Sequence, residues 1–240
     1  MKRLLTAAIL AAIATPAFAL DKIYSPNVHK GELELEYSLS HDFDSDSSKN
    51  AAQGHELEVS YGVSDRLALE IEGAFERDGE GPTVFSAVEV GGVWQFFEQG
   101  EYWLDSGLKL MYVHTPRDGD ADAIEAKLLL EKQTGMLLHR LNLGVEHEVG
   151  DNSSGGFDRG AQWSTRYLYS KNFAPGFEIQ SGFGSSEDGL RFNEQEHYVG
   201  PALYGRILPG LNYEAAYLLG VTSASADSAA RVLIEYEMNF

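Results

Sequence analysis

Arg231-Val-Leu-Ile-Glu-Tyr-Glu-Met-Asn-Phe240, the closing stretch of the 240-residue chain, decides how everything before it is read. Val232, Ile234, Tyr236, Met238 and Phe240 fall on one face of an extended strand. Arg231, Glu235, Glu237 and Asn239 fall on the other, and Leu233 alone breaks the alternation. One face is therefore fit for an apolar medium and the other for water.

The same alternation recurs along the chain. It places strands at residues 32–40, 55–62, 67–76, 84–97, 102–113, 124–131, 137–149, 161–169, 177–183, 196–204, 211–221 and 231–240. In the first, Leu33, Leu35, Tyr37 and Leu39 oppose Glu32, Glu34 and Glu36. In the fifth, Tyr102, Leu104, Leu108, Leu110 and Tyr112 point outward, with Trp103, Asp105, Lys109 and Met111 inward. Gly91 and Gly92 are expected to mark a bend or bulge, and Pro201 needs a bulge or an unpaired position. The connections alternate between short turns and longer polar loops, and an even strand count puts both ends on one side. The aromatics Tyr61, Phe96, Tyr102, Tyr169, Phe173, Phe177, Tyr213 and Phe240 gather at the strand ends nearest the short turns. Such clustering is expected of an interfacial girdle.

The N-terminus carries Lys2 and Arg3, an apolar run over residues 4–14, Pro16 and the triplet Ala17-Phe18-Ala19. That order is a secretory signal peptide over residues 1–19, too short to span a membrane as a helix. Residues 20–30 follow as a periplasmic lead, and residues 31–240 form the β-domain. Removing the signal moves the net charge from −19 to −21, which argues against nucleic-acid partners. The absence of cysteine removes disulfides and thiolate metal sites. Beyond Ala19 no apolar run reaches the roughly 18 residues of a spanning helix.

The C-terminal strand, with its apolar face of Tyr236 and Met238 ending on Phe240, resembles the terminal signature of bacterial outer-membrane β-barrels. The resemblance implies recognition by the barrel-assembly machinery and closure against the first strand. Tyr61-Gly62-Val63-Ser64-Asp65-Arg66-Leu67 is similar to a periplasmic hairpin of small outer-membrane barrels, including the transporter family linked to phenol meta-pathway degradation. The fold expected is all-β: a closed, antiparallel, up-and-down transmembrane β-barrel of about 12 strands in the cell outer membrane. Its partners are then outer-membrane lipid and lipopolysaccharide.

In such a barrel the second face lines the lumen. The acids expected there include Glu34, Glu36, Glu56, Glu58, Glu70, Glu72, Asp105, Glu125, Glu146, Glu148, Glu235 and Glu237, against the bases Lys109, Lys127, Arg140 and Arg166. So many carboxylates need water, mobile cations or protonation. The reading is a narrow passive pore or transporter favouring cations or small polar solutes. The alternative is a non-conducting barrel whose ion pairs form a polar plug.

Other classes fare worse. The histidines His41, His55, His114, His139, His147 and His197 could serve a hydrolase, but no motif near Ser106, Ser164 or Ser181 resembles a lipase site. His147 lies between Glu146 and Glu148, which point to the opposite face. Asp42, Asp44 and Asp46 imitate a calcium loop, yet Ser47 stands where glycine is required. The outer loops are too short and acidic for an adhesin's binding hot spot. Neither cofactor, metal nor enzymatic role is expected. Mass spectrometry of the exported protein checks the signal peptide: the expected mature chain begins at Leu20.

Overall fold

In the computed structural model, which describes residues 20–240, twelve antiparallel strands close into one barrel. They are β1 (Glu32–Phe43), β2 (Gln53–Ser64), β3 (Leu67–Arg77), β4 (Val84–Gln95), β5 (Asp105–His114), β6 (Asp122–Thr134), β7 (Leu137–Val149), β8 (Asp158–Tyr167), β9 (Ala174–Ser185), β10 (Glu196–Leu208), β11 (Leu211–Gly220) and β12 (Ser228–Asn239). Each pairs with its sequence neighbours. The expected signal peptide lies outside the described residues.

Closure is made by β1 and β12, in register from Glu32↔Asn239 to Phe43↔Ser228. Phe240 N–H extends the seam by donating to Gly31 C=O at 3.0 Å. No strand is left with a free edge, the condition for placing a sheet in lipid.

The burial pattern is the reverse of a water-soluble protein. Leu57, Leu69, Ile71, Leu110 and Leu219 are each at least half exposed, whereas Lys109, Glu178 and Arg231 are 1 %, 0 % and 2 % exposed. Fully buried lysine and glutamate are rare in soluble domains. A continuous apolar exterior with charges inside is what a lipid-facing barrel requires.

Several boundaries depart from the sequence reading. β1 runs on to Phe43, and β5 begins only at Asp105. Residues 96–104 form a longer turn than expected, so Trp103 does not point inward; it is exposed, with Lys132 Nζ 5.9 Å from its ring. Gly91 and Gly92 mark no bulge. Both stay in register with β3 and β5, and the irregularity in β4 falls instead opposite Ala74 and Phe75. The glycines serve close approach: a Cβ on Gly92 would lie 2.0 Å from Ala68 O, and one on Gly91 1.9 Å from Leu110 O. Pro201 pairs with Phe177 on β9, while the ladder to β11 breaks at Gly200 and Pro201. The missing N–H of proline thus faces an unpaired stretch.

At the end carrying the termini, aromatic rings meet in pairs: Trp94 with Phe96 at 5.3 Å, Phe97 with Tyr102 at 4.4 Å and Tyr169 with Phe173 at 6.4 Å. At the other end the loops tie together. Lys49 Nζ donates to the carbonyls of Ser223, Ala224 and Ser225, while across the seam the Asp227 carboxylate accepts Ser45 N–H and the Asp44 carboxylate accepts Asp227 N–H.

A methyl at Gly92 must push into the β3 backbone. Gly92→Ala is expected to cost towards the top of the about 1–3 kcal/mol typical of overpacking, and the shift between folded and unfolded bands on unboiled gels in a urea series checks it.

Candidate functional site

The lumen is where the chain places its chemistry, and its central occupant is the segment expected to be a periplasmic lead. Residues 20–28 run inside the barrel. Ile23 and Tyr24 are buried, and Leu20 packs against a small-residue wall that includes Ala174, Ala202, Ala216, Leu218 and Ala229. Tyr24 packs on Val93 and Leu129, with Val28 alongside. Whether the lead enters the lumen could not be read from strand periodicity, because the segment forms no strand.

Polar groups of the wall hold the segment's main chain. Asn142 Oδ1 accepts Tyr24 N–H at 2.7 Å while Asn142 Nδ2 donates to Tyr24 C=O at 3.0 Å. Gln95 Oε1 accepts Val28 N–H at 2.8 Å. Glu131 receives both Ser25 Oγ and Asn27 Nδ2.

Register explains the charges. Glu235, Glu36, Glu58, Glu72 and Glu89 stand directly opposite one another on the adjacent strands β12, β1, β2, β3 and β4. Like charges so placed destabilise a sheet. β1 to β4 contain no lysine, and their single arginine, Arg77, lies at the loop end of β3, donating to Ala51 C=O. The opposing cations stand across the lumen: Lys109 and Lys127 are opposite each other on β5 and β6, with Arg140 and Arg166 on β7 and β8.

The segment bridges the two walls. Lys22 Nζ pairs with Glu36, lies 3.3 Å from Glu235 and reaches Glu58 at 4.0 Å. Asp21 pairs with Lys127, which also lies 3.0 Å from Glu125. The Tyr24 ring sits beneath Lys109, 3.7 Å from the ammonium, with Lys22 and Lys127 at 5.2 and 5.3 Å. Each contact is a cation–π attraction strengthened by desolvation.

The remaining charged residues fall into three groups. Lys109 links Glu58 at 3.2 Å and Glu70 at 2.9 Å; Arg140 meets Glu131 at 2.6 Å, and Arg166 meets Glu214 at 2.7 Å. Arg231 pairs at 2.7 Å with Glu178, which also accepts Tyr204 OH at 2.5 Å and Gln180 Nε2 at 3.0 Å. Glu56 receives Ser38 Oγ, Glu148 receives Ser154 N–H, and Glu146 stands opposite Glu125 and Asp158. At the end carrying the termini, Glu34 is opposite Glu237, Asn212 Nδ2 donates to Glu235 and Glu237, and Asp105 is spent on Gly100 N–H. There too a cavity of about 530 Å³ opens, lined by Lys22, Tyr24, Arg140, Arg166, Arg206 and Glu214 among others. Tyr236 and Phe240 are exposed on the outer face, and Met238 is opposite Leu33.

Asp21, Lys22, Tyr24 and Gln95 were not foreseen. The one available signal was the charged and aromatic run Asp21-Lys22-Ile23-Tyr24, unlike the small polar residues of a flexible linker.

The histidines stand apart. His41 contacts Gln53, His55 contacts Tyr37, His139 contacts Thr165, and His147 contacts Gly156 C=O. His114 and Tyr112 share Asp122. His197 lies 2.9 Å from Ser181 Oγ and 3.2 Å from Gln195, but its ring is stacked beneath Phe192. Ser181 also sits within the β-ladder, paired with Ala161 and His197. The backbone donors an oxyanion would need are thereby committed to the sheet. Among the described residues no group of three carboxylates or imidazoles is arranged to hold a metal ion.

Removing Lys22 strands buried carboxylates. Lys22→Ala is expected to lower stability by about 3–5 kcal/mol, the usual cost of breaking a buried pair from one side, and denaturant midpoints against the rim substitution Lys132→Ala check it.

No family model matches the chain, and no curated protein matches it. Solved structures do. The NanC porin superposes with a TM-score of 0.60 at 12% identity, covering 85% of this chain and 100% of the porin. The KdgM porin gives 0.57 at 11%, covering 85% and 98%. The COG4313 outer membrane channel from Pseudomonas putida F1 gives 0.67 at 12%, covering 92% and 100%. At these identities the likeness is one of architecture, and the chain has the twelve-stranded barrel fold of outer-membrane porins and channels.

Proposed function

We propose that this chain is a narrow passive pore of the cell outer membrane, passing cations and small polar solutes in preference to anions. The observation that carries the reading is the row Glu235, Glu36, Glu58, Glu72 and Glu89, carboxylates directly opposite one another on five adjacent strands, of which β1 to β4 carry no basic residue at a lumen-facing position. Acid-lined constrictions favour cations, and charges at this density are tolerable only beside water or counter-ions. Porin-like architecture supports transport over catalysis, and outer-membrane lipid, lipopolysaccharide and the barrel-assembly machinery are the partners this location implies.

A second reading, a non-conducting barrel, draws support from residues 20–28, which hold the middle of the lumen through side chains on opposite walls. The two differ in a planar bilayer under a KCl gradient. The pore reading expects small channels with a cation-directed reversal potential, reduced in selectivity by Glu72→Gln. Absence of current, or anion preference, sinks it.

A further inference from the structure

Residues 21–28 lie in the lumen without regular secondary structure, and the wall holds them by their main chain. Asn142, itself 1% exposed, bonds both the N–H and the C=O of Tyr24, and Gln95 takes the N–H of Val28. These contacts address main chain and would serve other side chains equally, the feature by which strand-like peptide recognition gains affinity without sequence. Charge is read at two places: Lys127 takes a carboxylate, that of Asp21, and the Glu36–Glu235 pair takes an ammonium, that of Lys22.

Among the described residues some carboxylates are left over, Glu72 and its neighbour Glu89 among them. Glu72, 7% exposed and opposite both Glu58 and Glu89, makes neither hydrogen bond nor ion pair among the described residues. A second ammonium has a carboxylate waiting. The cavity of about 530 Å³ bordering Lys22 and Tyr24 offers an approach from the end carrying the termini.

We propose that this part of the lumen is a binding site for short zwitterionic peptides, and that residues 21–24 occupy it as a resident surrogate. A peptide carries an ammonium, a carboxylate and main-chain amides, the three groups that the acidic wall, Lys127 and Asn142 engage. The proposal deepens the pore reading by naming its solute class, and binding itself does not depend on conduction. Because the resident segment competes, apparent affinity in the intact chain is scaled down by the fraction of molecules whose site is free.

The test uses the full mature chain refolded in detergent, with triglycine as probe and N-acetyl-triglycine amide as its charge-free control. Tyr24→Pro removes the N–H that Asn142 accepts and lies outside the strands, so it releases the segment without touching the wall. Calorimetry should find triglycine binding at least about tenfold tighter to Tyr24→Pro than to the unaltered chain, no binding of the control, and loss of binding when Asn142→Leu is added. Should Tyr24→Pro not fold, a spin label on Ser25→Cys, unique in a cysteine-free chain, gives the same answer: triglycine, but not the control, should mobilise it. Folded protein that binds neither compound, or binds both alike, or a label unmoved by triglycine, overturns the site. Current in KCl without peptide binding defeats this inference alone, whereas peptide binding without current defeats only the pore.

Discussion

Closing the sheet brings Glu235 of the last strand against Glu36 of the first, with Glu58 next along the same row, and one ammonium, Lys22, answers all three. Closure itself is obligatory in lipid, where an unpaired strand edge has no water to bond. Register then follows from the alternation, because a one-residue slip would turn the glutamates towards hydrocarbon and the leucines inward. The seam and the acidic row are therefore one constraint, and the ammonium of Lys22 offsets part of the repulsion that this register creates.

The lumen resolves into three unlike walls around that segment. β1 to β4 supply carboxylates, while β5 to β8 supply Lys109, Lys127, Arg140 and Arg166, and each of these cations finds an acid within hydrogen-bonding reach. In a region of low dielectric such pairs are strong but costly to desolvate, so their net worth lies more in specifying arrangement than in raw stability. β9 to β12 add a different surface, where alanines and Leu218 receive Leu20. Charge across one diameter and small apolar residues along a third wall together fix both the path and the depth of residues 20–28.

In the proposed pore, selectivity and occlusion would come from the same residues. Glu36 and Glu58 attract a mobile cation for the reason that they attract Lys22, and whatever loosens the resident ammonium exposes more of the wall. In the proposed pore, passage would be coupled to the equilibrium of the N-terminal segment, in the manner of a site whose competent state is only partly populated.

The sequence by itself determined the architecture. Period-2 alternation, an even number of strands, the aromatic clustering and the final Tyr236, Met238 and Phe240 are local features, and each strand's two faces are set by its own residues. It also separated the inward charges, including Glu34, Lys109 and Arg166, from the outward apolar face. Which charges meet was decided only by tertiary structure, since partners such as Glu58 and Lys109 or Arg231 and Glu178 depend on register and on curvature around the closed circle. The position of Asp21, Lys22 and Tyr24 was likewise beyond local reading: a segment without regular structure has no period to betray its place, and it is held inside by Asn142, Gln95 and two walls of opposite charge that exist only once the barrel has closed.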